Sequence, residues 1–236
     1  MHAFISAVLR LRYWILVLVV AISAGAVFLL SEAVVGTSLA QLFLGDSPEY
    51  ADYLELIEEF GSDEIVIAAL ADQDPLDPEV QRKLDIADKN LGRIEGVMRT
   101  ASILDAQSIR TEDDTLIVES HADRANALGE DRESYRHVLA DDHFVGGLLV
   151  STDGRDSAVL IEMEGGDRRP AELTVDIIRS VRQAFVDAGF PAESVKLVGQ
   201  PTDLAASMEA TNFNLKRLFP LTALMLVIAV WFMFHR

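Results

Sequence analysis

The sequence predicts an α+β domain held between two transmembrane helices, and three observations carry that prediction. Apolar runs without a charged residue occupy residues 13–30 and 218–234, and about 18 such residues suffice to cross a bilayer as a helix. All 38 Asp and Glu residues lie in the span 32–209 between these runs, with 15 of the 20 Lys and Arg residues. Inside this acidic part, segments with helical and strand periodicity alternate.

The predicted boundaries follow from these runs. Residues 1–31 form a cytoplasmic stub and the first membrane helix, 32–201 an extracytoplasmic domain, 202–217 a connecting helix, and 218–236 the second membrane helix. Arg10 and Arg12 place the N-terminal side of the first run in the cytoplasm by the positive-inside rule, although Lys216 and Arg217 weaken the same argument for the second run. We therefore expect a multi-pass inner-membrane protein with its acidic domain outside the cytoplasm.

A cleaved signal peptide is the alternative interpretation of the first run. Ala24-Gly25-Ala26 has the small-x-small pattern of a cleavage site. Val27-Phe28-Leu29-Leu30 continues the apolar run beyond that point, which favours an uncleaved anchor. The acidic domain is exported under either interpretation.

Charge and composition exclude several classes of function. A net charge of -18 repels nucleic acid and anionic headgroups, and we attribute it to solubility or a salty medium rather than to a substrate. The absence of cysteine excludes disulfides and thiol chemistry. No phosphate loop, nucleophile elbow or zinc-binding helix motif occurs. We expect no enzyme activity, no catalytic or metal-binding residue and no cofactor.

In chain order, the first predicted element of the domain is a helix that begins at Pro48 after the N-cap Ser47 and stops at Gly61. Its apolar residues recur at helical spacing and are expected to pack in the core: Tyr50, Leu54, Ile57 and Phe60. The continuous apolar run at 65–71 predicts a strand covered on both faces.

A strand-helix-strand unit is predicted next. Asp77 caps a helix that starts at Pro78, Gly96 ends it, and residues 97–104 form a strand parallel to the first, through a right-handed crossover. The helix carries an apolar stripe of Val80, Leu84, Ala87, Leu91 and Ile94. Asp72, Asp74 and Asp77 resemble a calcium loop, but the turn glycine and the closing glutamate are missing, so capping is preferred.

Residues 105–144 carry weaker signals, namely a strand at 115–120 and a helix at 132–139. Five potential ligands lie here without the spacing of a metal site and are expected to be exposed loop residues: His121, His137, His143, Asp141 and Asp142.

A hairpin is predicted next, with strands at 147–152 and 157–164 around the turn Asp153-Gly154-Arg155. Pro170 opens a helix whose apolar stripe is Leu173, Ile177, Val181 and Phe185, with Gly189 beyond its end. Residues 194–198 form the last strand. This element order predicts a ferredoxin-like split βαβ sandwich with helices on one face of a mixed sheet.

The segment Gly199-Gln200-Pro201 breaks the chain after that strand. We expect Gly199 and Pro201 to act as structural hinge positions between the domain and the membrane. Thr202 is expected to cap the following helix, which runs toward the second apolar run, where Pro220 kinks or restarts it.

Three sequence segments, in this order and spacing, carry a family resemblance: FGSDEIVIAAL at 60–70, LLVSTDGRDSAVLIEME at 148–164 and VGQP at 198–201. They resemble the first part of resistance-nodulation-division (RND) transporters of the MMPL, or hydrophobe-exporter, type. The resemblance implies a proton-driven exporter of lipids or other hydrophobic compounds with a ferredoxin-like porter domain. Its implied partners are the lipid bilayer, a hydrophobic substrate, and the remaining helices of a longer transporter or further copies of this chain.

Neither apolar run contains the ionisable residue that proton transport needs, so the chain alone is not expected to pump. We expect a fragment of a longer transporter; a truncated homologue that works by association is the alternative. A two-helix extracytoplasmic sensor with a ligand-binding domain is the second hypothesis on function, and an assembly factor that binds partner proteins is the third. Substrate-binding residues cannot be separated from core residues by sequence pattern.

Overall fold

The computed structural model describes residues 14, 21, 25, 43–45, 47–112, 114–165 and 171–234. The chain divides into two compact units, Met1–Val35 and Gly36–Arg236. Only three described residues belong to the first unit, each in a helical conformation. The predicted first membrane helix, at 13–30, lies outside the described residues apart from these three positions. All other described residues belong to the second unit.

The second unit contains helices and strands along most of its described length. Its helices are α1 Pro48–Phe60, α2 Pro78–Leu91, α3 His121–Leu128, α4 Arg132–Asp141, α5 Ala171–Asp187 and α6 Gln200–Phe234. Its strands are β1 Ile65–Leu70, β2 Val97–Ala101, β3 Gln107–Glu112, β4 Thr115–Ser120, β5 Ser157–Met163 and β6 Val195–Val198. A short 3-10 turn, Gly129–Asp131, joins α3 to α4.

Four strands form one sheet in the order β2-β5-β1-β6, and β3 pairs with β4 in a separate two-stranded ribbon. All three pairings in the larger sheet are antiparallel. Strands β1 and β2 run in the same direction, as predicted for the first strand-helix-strand unit, but β5 lies between them. The predicted mixed sheet is therefore wrong, because no two parallel strands are neighbours in the described sheet, whereas the prediction of a mixed helix-and-strand domain is confirmed.

The predicted end of α1 and the predicted start of α2 are confirmed, whereas α2 ends at Leu91 with Gly92 as its C-cap instead of at Gly96, so Ile94 lies beyond it. Helix α1 ends at Gly61, which has a φ of +98° and donates its N–H to the Ile57 carbonyl. Helix α2 begins after Asp77, whose carboxylate accepts the Glu79 N–H at 2.9 Å. The apolar stripe of α2 faces inward, and its buried members are Val80, Leu84, Ala87 and Leu91.

The hydrophobic core lies on one face of the four-stranded sheet. Val66, Ala68 and Leu70 of β1 are fully buried, in the same cluster as Leu84 of α2 and Phe185 of α5. The alternate residues of β1 are exposed or half-buried. The prediction that both faces of this strand are covered is thus wrong, since the second face is covered only in part.

Of the predicted hairpin, the turn and the second strand form, but the first strand does not. Residues 147–152 are irregular and touch the sheet through a single bridge from Val150 to Ser157. The Ser151 hydroxyl accepts the N–H groups of Arg155 and Asp156, which closes the turn. Both edges of β5 are occupied by β1 and β2, so the sheet offers no place for a hairpin partner.

Three further expectations are corrected. Helix α1 buries none of its residues, so its apolar face is not part of the core. His121 is not an exposed loop residue, because it opens α3 and is only 2% exposed. Strand β2 ends at Ala101 instead of residue 104, since the Ser102 N–H turns to the Asp105 carboxylate at 2.9 Å. Strand β3 and helix α3 have no counterpart among the predicted elements.

Helix α6 continues from Gln200 to Phe234 with Pro220 inside it. It begins too early for Thr202 to be its N-cap, as predicted; Thr202 instead lies in the first turn and donates its N–H to the Gly199 carbonyl. Pro201 and Ala205 are buried, whereas large apolar residues farther along, such as Phe213, are exposed. Among the described residues, no helix combines the length and the apolar composition needed to cross a membrane.

Candidate functional site

One end of the four-stranded sheet brings together the segments that connect it to α1 and α6. Register pairs Ile65 with Glu162, Ile67 with Val198, and Val97 with Met163, so the starts of β1 and β2 and the ends of β5 and β6 share this end. Exposed apolar side chains concentrate around it: Phe60, Ile65, Met98, Leu173 and Val198. We call it the groove end of the sheet, because two surface grooves open there.

The first groove, which we call the α1 groove, lies between α1 and the start of β2 and has a volume of about 350 Å³. Leu54, Ile57, Val97 and Met98 provide its apolar lining, while Glu58 and Glu164 provide carboxylates. The groove explains the half-buried state of Leu54 and Ile57, which sequence periodicity assigned to the core. Their apolar face borders an open cavity instead of other side chains of the core.

The second groove, which we call the α5 groove, lies beside the N-terminal half of α5 and has a volume of about 430 Å³. Its apolar lining comes from Ile94, Leu173 and Ile177, and its charged residues include Arg93, Glu95 and Asp176. The two grooves share Gly96 and Glu164, and the Glu164 N–H donates to the Gly96 carbonyl at 2.9 Å. This backbone hydrogen bond joins the walls of the two grooves.

A buried carboxylate fixes α1 beside its groove. Glu162 is 7% exposed, and its side chain accepts the Ser62 N–H at 3.0 Å and the Arg99 guanidinium at 2.6 Å. A Cβ atom at Gly61 would displace the Glu162 carboxylate from its place, and the φ of +98° at this position favours glycine. The junction between α1 and β1 is thus held by one carboxylate from the neighbouring strand.

A third groove of about 350 Å³ lies between α5 and α6. Arg179 of α5 bonds Glu209 of α6 at 3.0 Å across it, although both side chains are largely exposed. At its far end, the Arg217 guanidinium lies 5.1 Å from the centre of the Phe213 ring. The Arg179–Glu209 pair links the first half of α6 to α5, whereas the Arg217–Phe213 contact lies within α6 itself.

The two predicted hinge residues lie at the junction of β6 and α6, beside the groove end, and neither lines a groove. Gly199 has a φ of +137°, and a Cβ atom there would collide with the Ile65 carbonyl oxygen. Pro201 is buried in the first turn of α6, where its missing N–H costs no helical hydrogen bond. Whether the chain bends at these positions stays a prediction.

Sequence reasoning identified Gly61 as a helix stop but did not single out Arg99 or Glu162. Glu162 is the one charged residue inside the apolar strand segment VLIEM, and that position was the available signal. Its partners lie far away in the sequence, which is why the signal could not be interpreted.

The described residues do not bring three His, Asp or Glu side chains together as a metal site would. The grooves offer apolar surface with carboxylates at the rim, an arrangement that suits binding of an apolar or amphiphilic molecule. No model of a known protein family matches the chain. No curated protein sequence matches it either.

Proposed function

We propose that this chain is the membrane-anchored porter portion of an RND exporter of the MMPL type, which passes lipids or other hydrophobic compounds through the grooves of its extracytoplasmic domain. The observation that carries the proposal is the strand order β2-β5-β1-β6, because two β-α-β units combined in this antiparallel order are the arrangement of a ferredoxin-like fold. The resemblance of residues 60–70, 148–164 and 198–201 to that family adds to it.

The groove end supports the assignment of a route for an apolar substrate. The segments that join the sheet to α1 and α6 lie at this end. If the domain is anchored in the membrane through these segments, the grooves lie near the membrane. Apolar lining from Leu54, Ile57 and Met98 offers burial to an acyl or alkyl chain, worth about 0.8 kcal/mol for each methylene removed from water. The grooves are open, which suits transfer of a substrate better than long-term storage.

The membrane part of the proposal rests on sequence. Residues 218–234 contain no charged side chain, and α6 presents exposed Leu221, Leu224 and Ile228 there. Neither apolar run carries a proton-relay carboxylate, so coupling to the proton motive force belongs to other membrane helices in this proposal. Alone, the 236-residue chain binds substrate but does not pump.

Binding of an apolar dye to the full chain tests the groove. We expect a naphthylamine dye, which fluoresces in apolar sites, to bind, and Met98→Asp to weaken its affinity at least about tenfold, because desolvating a carboxylate costs more than about 1.4 kcal/mol. Met98 is 59% exposed, so the variant should fold. Leu116→Asp is the matched control, since Leu116 is 65% exposed on β4 and lines neither groove. Equal losses in both variants, or no binding at all, would refute the groove as a hydrophobic site.

Topology is tested separately with single cysteines, since the natural chain has none to remove. Glu193→Cys, in the exposed turn before β6, should react with a membrane-impermeant maleimide added outside intact cells, and the protein should resist alkaline extraction from membranes. Reaction only after lysis would contradict the assigned orientation. Binding of a polar ligand without any binding of the dye would favour the sensor hypothesis.

A further inference from the structure

His121 is a buried imidazole with one satisfied nitrogen and one unsatisfied nitrogen. It is the first residue of α3 and is 2% exposed. Its Nδ1 lies 2.9 Å from the Tyr135 hydroxyl, and the two rings pack 5.9 Å apart. Its Nε2 is shielded from solvent and makes no hydrogen bond with any described residue. Buried polar atoms without a partner are uncommon in proteins, so this nitrogen calls for an explanation.

Asp142 faces that nitrogen. Its Oδ2 lies 3.7 Å from His121 Nε2, beyond hydrogen-bond distance but close enough for strong charge interaction. Its Oδ1 accepts the N–H groups of Phe144 and Val145 at 2.8 and 3.2 Å, which shapes the turn after α4. The Asp142 side chain is 30% exposed, so it has room to move. One oxygen is thus fixed by the turn, and the other points toward the imidazole.

The contacts define the proton positions of the neutral state. If Nε2 carried no proton, its lone pair would face the Asp142 carboxylate oxygen, and both atoms are acceptors. The proton of neutral His121 therefore lies on Nε2, and Nδ1 accepts a hydrogen bond from the Tyr135 hydroxyl. When His121 gains a second proton, Nδ1 becomes a donor to the Tyr135 oxygen. The Tyr135 proton then turns to Ser108, whose hydroxyl oxygen is 3.4 Å away. Both charge states of His121 therefore find partners for Nδ1.

Burial lowers the pKa of His121, and the negative charge of Asp142 opposes that shift. Other charged residues on the packed elements are engaged elsewhere or exposed. On β3, β4 and α3, Arg110 and Arg124 lie within salt-bridge distance of Glu119, and Asp123 forms a hydrogen bond with Ser120. On α4, Arg136 pairs with Glu133. The side chains of Asp141 and His143, at the end of α4 and in the following turn, are exposed. Asp142 is therefore the charge that the imidazolium meets.

We propose that His121 and Asp142 form a proton-operated latch: acidification charges His121, and Asp142 closes onto it in a direct ionic hydrogen bond that tightens the turn 142–145 against α3. The closure needs a movement of less than about 1 Å, from 3.7 Å to ordinary hydrogen-bond distance. This turn leads through Val150 to the start of β5, and α3 follows directly on the ribbon strand β4. The latch thus links the ribbon to the central sheet in response to pH.

The inference does not depend on the proposed function, and it is tested on the full chain by nuclear magnetic resonance. The chain has five histidines, and His121→Phe removes and thereby assigns one of five imidazole signals. We expect His121 to titrate below the ordinary histidine pKa, and Asp142→Asn to move its midpoint lower still. The Asp142→Asn variant keeps a side-chain oxygen that accepts the Phe144 and Val145 N–H groups, so the turn should form in it. This variant therefore tests the proposal even if His121→Phe does not fold.

Hydrogen exchange then distinguishes a latch from a buried histidine without consequence. Protection factors of the Phe144 and Val145 amides, corrected for intrinsic pH dependence, should rise several-fold as His121 is protonated, with the same midpoint as its signal. The rise should vanish in Asp142→Asn and His121→Phe and persist in the control His143→Gln, whose exposed imidazole lies within the same turn. Constant or falling protection in the natural chain, or a rise that survives Asp142→Asn, would overturn the latch.

Discussion

At Gly199 the backbone itself dictates the identity of the residue. Its φ of +137° is a conformation that L side chains rarely adopt, and a Cβ atom would collide with the Ile65 carbonyl oxygen. Alanine at this position forces the connection between β6 and α6 to shift. We expect Gly199→Ala to lower the free energy of unfolding by about 1–3 kcal/mol, as measured by urea denaturation of the full chain.

Gly92 provides the matched control for that substitution. Its φ is -63°, and the nearest atom to an added Cβ would be the Asp88 carbonyl oxygen at 3.6 Å, an ordinary contact. Gly92→Ala should leave stability unchanged or slightly raised, because alanine restricts the unfolded chain without straining the folded one. Equal destabilisation by both variants would show that strain at Gly199 is not the cause.

Arg136 joins three separate segments through one guanidinium. It is 8% exposed and bonds Asp74 at 2.8 Å, Glu133 at 2.7 Å, and the Gly154 carbonyl. Arg136→Ala leaves these acceptors without their donor, and we expect it to lower the free energy of unfolding by about 2–3 kcal/mol in thermal or urea denaturation. Arg82→Ala, which breaks an exposed pair with Glu79, should have little effect. A loss at Arg136 as small as that at Arg82 would contradict the assigned network.

These residues also show the limit of sequence reasoning at the residue scale. Asp77 is predictable as a helix cap, because its partner is two positions away. Arg136 and Asp74 are 62 positions apart, and Arg99 and Glu162 are 63 apart. Composition and local spacing carry no signal for such pairs, since their meeting depends on the fold.

At the scale of elements, helix α1 depends on its C-terminal junction, because none of its residues is buried. Glu162→Ala removes the acceptor of the Ser62 N–H and the partner of Arg99, so we expect α1 to detach and a glutamate-specific protease to cleave it several-fold faster. Glu162→Gln is the matched variant, since its amide oxygen still accepts the Ser62 N–H, and its cleavage rate should stay near that of the natural chain. Equal protection in all three proteins would show that α1 is held by other contacts.

Helices α1 and α2 have similar apolar periodicity, yet only α2 is in the core. Periodicity identifies which face of a helix is apolar, but what covers that face depends on the assembled domain. The same limit explains the missing hairpin strand at 147–152. Its sequence has strand character, and the turn 153–155 forms, but β1 and β2 occupy both edges of β5. The competing strands come from segments far away in the sequence.

At the scale of the whole domain, the alternation of strands and helices was predictable, and the strand order was not. Apolar runs or alternation in the sequence predicted β1, β5 and β6, whereas β2, with the sequence VMRTA, was predicted from its place after a helix. Strand β2 was expected to lie beside β1 and parallel to it. Strand β5 lies between them instead, so the neighbour of β1 at this side is antiparallel. Membrane insertion and the substrate remain proposals, which cysteine labelling and dye binding test.

The pH dependence of stability combines these effects, and His121 and Asp74 act in different pH ranges. Because burial lowers the pKa of His121 from 6.5, the unfolded chain takes up its proton first, so stability falls as pH decreases below about 6.5. Burial raises the pKa of Asp74, but hydrogen bonds from Arg136 and the Leu76 N–H and the charges of Arg136 and Arg155 outweigh that effect and lower it from 3.8. The stability that Asp74 contributes is present above about pH 3.8 and is lost below it.

We therefore expect urea midpoints to fall in two stages between about pH 8 and pH 3. Relief of charge repulsion in a chain of net charge -18 raises stability on acidification, but it does so alike in all variants, so differences between variants isolate the two groups. His121→Phe should abolish the stage that begins near pH 6.5, and Arg136→Ala should weaken only the stage below about pH 3.8, because it removes the partner that lowers the pKa of Asp74. If His121→Phe keeps the upper stage, another group titrates there and burial of His121 does not set the acid sensitivity of the fold.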